Sequence, residues 1–130
     1  MTKGYHDSKT PESIRDLWRT PKALFDYYDR RFNFTTDVAA SFENTFKPYA
    51  HLGEQVDGTF IDALDYENKW GERNFINPPY SDISPWVARC SVEMIHGNLS
   101  VLLIPADTSV KWFKLAFENC TECHFISGRV

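Results

Sequence analysis

No stretch of this 130-residue sequence is both apolar and long. The longest strongly hydrophobic run, residues 101–104, is a small fraction of the roughly 20 residues a membrane helix needs, so no membrane association is expected. Residues 1–10 are polar, which leaves no secretory signal and points to a cytoplasmic protein. Cysteine is scarce and odd in number: Cys90, Cys120 and Cys123 suit reduced thiols better than a disulfide framework. Positive charge is also short, with 14 Lys and Arg against 18 Asp and Glu, a net charge of −4. Phosphate contacts draw on Lys and Arg, so any nucleic-acid surface must be a local basic patch on an acidic body. There is no internal repeat and no low-complexity segment, and the length allows one domain but not two.

What the sequence has in surplus is aromatic side chains: four Trp, six Tyr and ten Phe. Core packing accounts for most of them, and a stacking platform for bases is the alternative use. Residues 1–17 carry little pattern and read as a loose leader, followed by a single domain over 18–130. Thr20-Pro21 predicts a helix start, Thr as N-cap and Pro in the first helical position, with Leu24, Tyr27, Tyr28 and Phe32 at helical spacing. Residues 34–40 predict a strand ending in small residues, and residues 59–64 another short one after the Asp57-Gly58 turn. Residues 74–77 predict a strand halted by Pro78-Pro79, since proline cannot donate to a ladder. Ser84-Pro85 repeats the capped helix start, with Val87, Cys90, Met94 and Ile95 as its apolar stripe and Gly97 as terminator. Residues 99–104 read as a strand buried on both faces, 110–118 as a helix with Val110, Phe113 and Phe117 in register, and 122–127 as a last strand. Strands alternating with helices predict an α/β fold, a mostly parallel sheet covered on both faces.

Ligands of open parallel sheets bind beyond the carboxyl ends of the strands. Three predicted strands end in small or polar clusters, at Asp37-Val38-Ala39-Ala40-Ser41, Asn77-Pro78-Pro79-Tyr80 and Pro105-Ala106-Asp107-Thr108. Ordinary turns use the same residue types, so convergence on one edge is what makes them a candidate site. The second cluster has distinctive chemistry. Two prolines hold their φ angles and present carbonyls, Asn77 adds a side-chain acceptor, and Tyr80 offers a flat ring. That combination suits an exocyclic amine that donates two hydrogen bonds while its ring is stacked. Acceptance by Asn77 Oδ1 and the Pro78 carbonyl favours a tetrahedral nitrogen with its lone pair facing a methyl donor, a stabilisation specific to the transition state. A proline-rich turn closing a strand is the plain alternative.

With these motifs in order, the sequence resembles the phage and prophage-type, Dam-like DNA N6-adenine methyltransferases. The resemblance runs through Trp18-Arg19-Thr20-Pro21, Asp37-Val38-Ala39-Ala40 with Asn44, Asp62-Ala63-Leu64, Asn77-Pro78-Pro79-Tyr80, Trp86, residues 102–105, Trp112-Phe113 and Gly128-Arg129. It implies a three-layer, Rossmann-like methyltransferase fold, S-adenosylmethionine as cofactor and double-stranded DNA with a flipped adenine as partner. Asn77, Pro78, Pro79 and Tyr80 are implied to carry catalysis, with Tyr80 stacked on the flipped base. Thr20 and Pro21 are implied to meet the methionine end of the cofactor, where a helix N-terminus suits a carboxylate. Asp37, at the end of the first strand, is implied to be a cofactor-side acid. Ala39 and its small neighbours stand where many methyltransferases have a glycine-rich turn. Asp62 is implied to receive the cofactor's adenine amino group. As residues alone, Asp37 and Asp62 read equally well as a cap and a turn residue.

Cys120-Thr121-Glu122-Cys123-His124 matches a haem-attachment spacing, but no export signal accompanies it, and further zinc ligands could come only from His6, His51 and His96; no metal is expected. Family members usually continue past the Gly-Arg pair, so the final sheet strand is expected to be missing. Two other readings stay open: a truncated, non-catalytic remnant, or an amino methyltransferase acting on RNA or protein glutamine.

Overall fold

The structure is a computed structural model that describes residues 20–127. The predicted leader, Trp18-Arg19 and Gly128-Arg129 lie outside the described residues. Three helices, α1 (Lys22–Phe32), α2 (Ser84–Ile95) and α3 (Lys111–Asn119), accompany five strands, β1 (Thr36–Ala40), β2 (His51–Glu54), β3 (Phe60–Ile61), β4 (Arg73–Ile76) and β5 (Leu99–Leu102). The strands form one sheet in the order β3-β2-β1-β4-β5, parallel throughout except for the short antiparallel β3. This is an α/β fold with a mostly parallel sheet, as the alternation of elements predicts.

Both faces of the sheet are covered. Adjacent residues of β4 enter opposite cores, as the two-residue period of a strand requires. Phe75 packs with Phe25 of α1 and Phe34, while Ile76 packs with Val38, Ala63, Trp70 and Trp86 of α2. Phe25 is the hub of the first cluster, stacked on Phe46 at 4.4 Å and edge-on to Phe75 at 5.1 Å. Helix α1 ends at Asn33, which takes a left-handed φ of 52° and donates its N–H to the Asp29 carbonyl.

Neither predicted N-cap takes that role. Pro21 occupies the cap position of α1 without any side-chain cap, because the Thr20 hydroxyl is engaged elsewhere. Ile83 occupies the cap position of α2, held by burial, which makes Ser84 the first helical residue.

The buried face of α2 also differs from prediction. Met94 and Ile95 are exposed, whereas Arg89 and Glu93 are buried beside Trp86 and Val87. Polar contacts explain the rotation. Arg89 pairs with Glu93 at 2.8 Å, donates to the carbonyls of Ala63 and Asn68 at 2.8 and 2.9 Å, and lies over the rings of Tyr66 and Trp70. A guanidinium satisfied on all sides can be buried where a lone charge could not. It clasps the connection between β3 and β4 to α2.

On the far side, β5 is an edge strand, not one buried on both faces: Leu99 is 37% exposed and the rest is half-buried. Helix α3 keeps the predicted register, with Phe113 and Phe117 stacked, yet none of its residues is buried. Residues 122–127 form no strand. They lie exposed, tied to α1 by side chains, with Arg31 bidentate on Glu122 and the Tyr28 hydroxyl bonded to His124. Without a backbone ladder to join, their apolar residues do not suffice to make a strand.

Candidate functional site

From β1 the chain moves outward to β2 and β3, then returns to the other side of β1 as β4 and continues to β5. The strand order therefore reverses between β1 and β4, and the crevice of such a sheet opens beyond the carboxyl ends of those two strands. Ala40-Ser41 and Asn77-Pro78 occupy those ends. The cluster at residues 105–108 follows β5 on the same edge, where Asp107 accepts from the Ser109 amide and hydroxyl in a tight turn.

Asn77 is the first residue past β4, and Pro78 behind it is buried. The Asn77 amide is anchored on one side only. Its Nδ2 donates to Thr20 Oγ1 at 2.8 Å, which draws the start of α1 to the same edge. Among the described residues nothing donates to Asn77 Oδ1 or to the Pro78 carbonyl. Two acceptors with open lone pairs thus flank the switch point. Tyr80 is half-buried in the turn that leads from Pro79 into α2.

The other predicted residues are less concentrated. Asp37 is not at the end of β1 but second of its five residues, and it is buried. Its Oδ2 accepts from Thr45 Oγ1 at 2.8 Å and from the Phe46 amide at 3.2 Å, which ties down the loop after β1. Ala39 is half-buried against the Val38 and Trp86 cluster. Asp62 is exposed and takes the turn geometry that its residue type allowed: Oδ1 accepts from the Leu64 amide, and its carbonyl accepts from Asn68 Nδ2. An open depression lined by Thr36, His51, Trp70 and Gly71 lies toward the opposite, amino-terminal ends of the strands.

Two polar residues that matter here had not been singled out in the sequence. Arg89 fixes the segment that carries Asp62, and the Arg89/Glu93 spacing of four was a visible sign of a helical pair. Asn74 is completely buried and bonds backbone groups of Gly71 and Leu99, with no sequence signal for that role.

The titrating groups offer no rival nucleophile. Burial pushes the Cys90 thiol up to about 12. Burial also pushes the Glu93 carboxyl up, but hydrogen bonds from Arg89 and Asn98 outweigh it and leave the pKa below the ordinary value. In the Cys120–His124 segment, His124 bonds Tyr28 and Glu122, and among the described residues no group of three or more His, Cys, Asp or Glu could hold a metal ion. No helix among them is long and apolar enough to cross a membrane.

Comparison with known proteins supplies the family. Residues 7–130 match the family described as DNA N-6-adenine-methyltransferase (Dam). The chain is 31% identical over 128 residues to a DNA N-6-adenine-methyltransferase of Escherichia phage T1, covering 95% of this chain and 50% of that protein. It is 34% identical over 131 residues to a DNA N-6-adenine-methyltransferase of Haemophilus phage HP1 (strain HP1c1), covering 98% of this chain and 69% of that one. The chain therefore spans about half the length of the first relative and about two thirds of the second. No solved structure matches it. With a family match over nearly its whole length, the chain belongs to the DNA N-6-adenine-methyltransferase (Dam) family.

Proposed function

We propose that this chain carries the catalytic half-site of an adenine-specific DNA methyltransferase that uses S-adenosylmethionine, on a three-layer Rossmann-like sheet. The observation that carries the reading is the pair of open acceptors, Asn77 Oδ1 and the Pro78 carbonyl, at the point where the strand order reverses. The residues fit the cofactor in one further respect. Helix α1 starts at that edge without a side-chain cap, so its first N–H groups face outward with no intrahelical acceptor and suit the cofactor's carboxylate. Thr20 and Pro21 form that terminus. Asp37 and Ala39 shape the approach beside β1, and Asp62 offers an exposed carboxylate for an amino group.

The cofactor, when bound, supplies an electrophilic methyl on a sulfonium centre. The protein's own work is to prepare the nitrogen. Adenine N6 is a poor nucleophile because its lone pair is delocalised into the ring. Asn77 Oδ1 and the Pro78 carbonyl accept its two N–H bonds, pull the nitrogen toward tetrahedral geometry and localise the lone pair. No strong general base would be needed: the N–C bond would form as the sulfonium's S–C bond breaks to leave a neutral thioether, and one N6 proton would then leave the cationic nitrogen to water. Pro79 restricts the turn, and Tyr80 stacks on the base once it has left the duplex.

The test is tritiated-methyl transfer from S-adenosylmethionine to unmethylated DNA, with RNA and protein as parallel substrates. Label recovered as N6-methyladenine in DNA is the expected result. Label confined to RNA or protein, or none in any substrate, overturns the reading.

A further inference from the structure

We propose that Thr20 is a positioning residue that sets which way the Asn77 amide faces, and that bound cofactor locks this setting. An asparagine amide can be held in either of two orientations half a turn apart, and its partners decide between them. Here the sole partner among the described residues is the Thr20 hydroxyl, 2.8 Å from Asn77 Nδ2. A hydroxyl can accept or donate. When it accepts, Nδ2 is occupied and Oδ1 faces the target amine. When it donates, it takes Oδ1, and the target amine would meet an NH2 group, donor against donor.

The hydroxyl accepts cleanly only if its own proton has somewhere to go. Thr20 is 5% exposed, so water is a poor recipient, and no described residue accepts that proton. Thr20 immediately precedes Pro21, the uncapped start of α1. A carboxylate drawn to that helix terminus is an acceptor for the Thr20 proton. Cofactor arrival thereby fixes Thr20 as acceptor toward Asn77, and Asn77 as acceptor toward the adenine. One hydroxyl couples the two halves of the site: a methyl donor in place locks the amide in the setting that leaves Oδ1 open for a target amine. This inference rests on the function proposed above.

The test uses the full chain with three substitutions. Thr20→Val removes the hydroxyl at nearly constant shape, Thr20→Ser restores it, and Thr20→Ala replaces the valine form if that form does not melt cooperatively. The first readout is hydrogen exchange of the Asn77 side-chain amide by NMR, with its signals identified through Asn77→Ser. Adding S-adenosylhomocysteine is expected to slow exchange about tenfold in the parent and in Thr20→Ser, and not in Thr20→Val. The second is methyl transfer at saturating cofactor and DNA, expected to fall about tenfold or more in Thr20→Val and to recover in Thr20→Ser. Equal slowing of exchange in the parent and Thr20→Val overturns the proposal. So does a Thr20→Val enzyme whose cofactor KM rises while its saturated rate holds, because Thr20 would then be a cofactor ligand and nothing more. Failure of the parent to methylate DNA overturns the function above, while the exchange measurement still decides the role of Thr20. Failure to bind S-adenosylhomocysteine overturns both.

Discussion

Asn74 and Asn77 stand three residues apart at the two ends of the same strand, and they show what separates an amide spent on the fold from one left open. Asn74 is 0% exposed, and both its polar atoms are bonded to backbone. Its Oδ1 accepts from the Gly71 amide at 2.8 Å, and its Nδ2 donates to the carbonyls of Gly71 and Leu99 at 2.9 and 3.1 Å. It closes the amino-terminal end of the sheet by tying β4 to β5. Asn77, at the carboxyl end, is half-buried and spends one bond, leaving its oxygen open toward the switch point. A buried amide with all its bonds made stabilises a fold. A polar group held in place but left unsatisfied is an invitation to a ligand.

Exchanging their fates breaks the comparison most sharply. Asn77→Ala is expected to lower methyl transfer by about a hundredfold or more, the scale of one lost transition-state hydrogen bond, with the thermal midpoint and the affinity for S-adenosylhomocysteine almost unchanged. Asn74→Ala is expected to do the reverse. It leaves partly buried backbone groups without their side-chain partner, and an unsatisfied buried group costs about 1–3 kcal/mol, so urea unfolding should show a clear loss of stability. If Asn77→Ala keeps parental turnover, or Asn74→Ala keeps parental stability, the two roles have been assigned wrongly.

Arg89 extends the structural side of the contrast. Arg89→Ala removes the charge that pairs with the buried Glu93 carboxylate and the guanidinium bonds to three carbonyls, and is expected to cost about 3–5 kcal/mol in unfolding free energy. Replacement of both Arg89 and Glu93 by apolar residues should cost less than the single change, which a double-mutant cycle would measure.

Tyr80 sharpens the functional side. Tyr80→Ala is expected to weaken capture of the flipped base by about 1–3 kcal/mol, and Tyr80→Phe or Tyr80→Trp to retain most of it, read as 2-aminopurine fluorescence at the target position. Indifference to alanine would return Tyr80 to the core.

The smallest effect is on pH dependence. The Glu93 pKa is depressed in the folded protein, so its contribution to stability is complete above its ordinary value of 4.5 and is lost as pH falls through the folded value. Stability measured from pH 5 downward should therefore fall less steeply once Glu93 is replaced by Gln. Glu122, held down to about 2 by Arg31 and His124, titrates in the same direction but is fully exposed, so its removal should leave the acid limb nearly unchanged.

Much of this was legible from residue types. Pro78-Pro79 ended a strand because proline has no N–H to give, Leu24 and Tyr28 lay at helical spacing, and Gly97 closed a helix in a left-handed conformation. The failures share a cause. Residues 122–127 had strand-like composition but no ladder to join, and residues 99–104 had core-like composition but an edge position, and neither circumstance is local. The stripe predicted for α2 put Met94 and Ile95 inward, because apolar periodicity cannot foresee that Arg89 will find carbonyls at Ala63 and Asn68 to satisfy it.

The sequence by itself determined the alternation of strands and helices, the punctuation by proline and the chemical character of Asn77-Pro78-Pro79-Tyr80, because each depends on neighbours along the chain. Tertiary structure alone decided the strand order that puts β1 beside β4, and with it the place of the switch point. It alone decided that the Thr20 hydroxyl would leave its helix uncapped and anchor an amide 57 residues away. And it alone decided that Asn74 would be bonded on both polar atoms and Asn77 on one, since the number of hydrogen bonds an amide makes is set by what the fold brings to it.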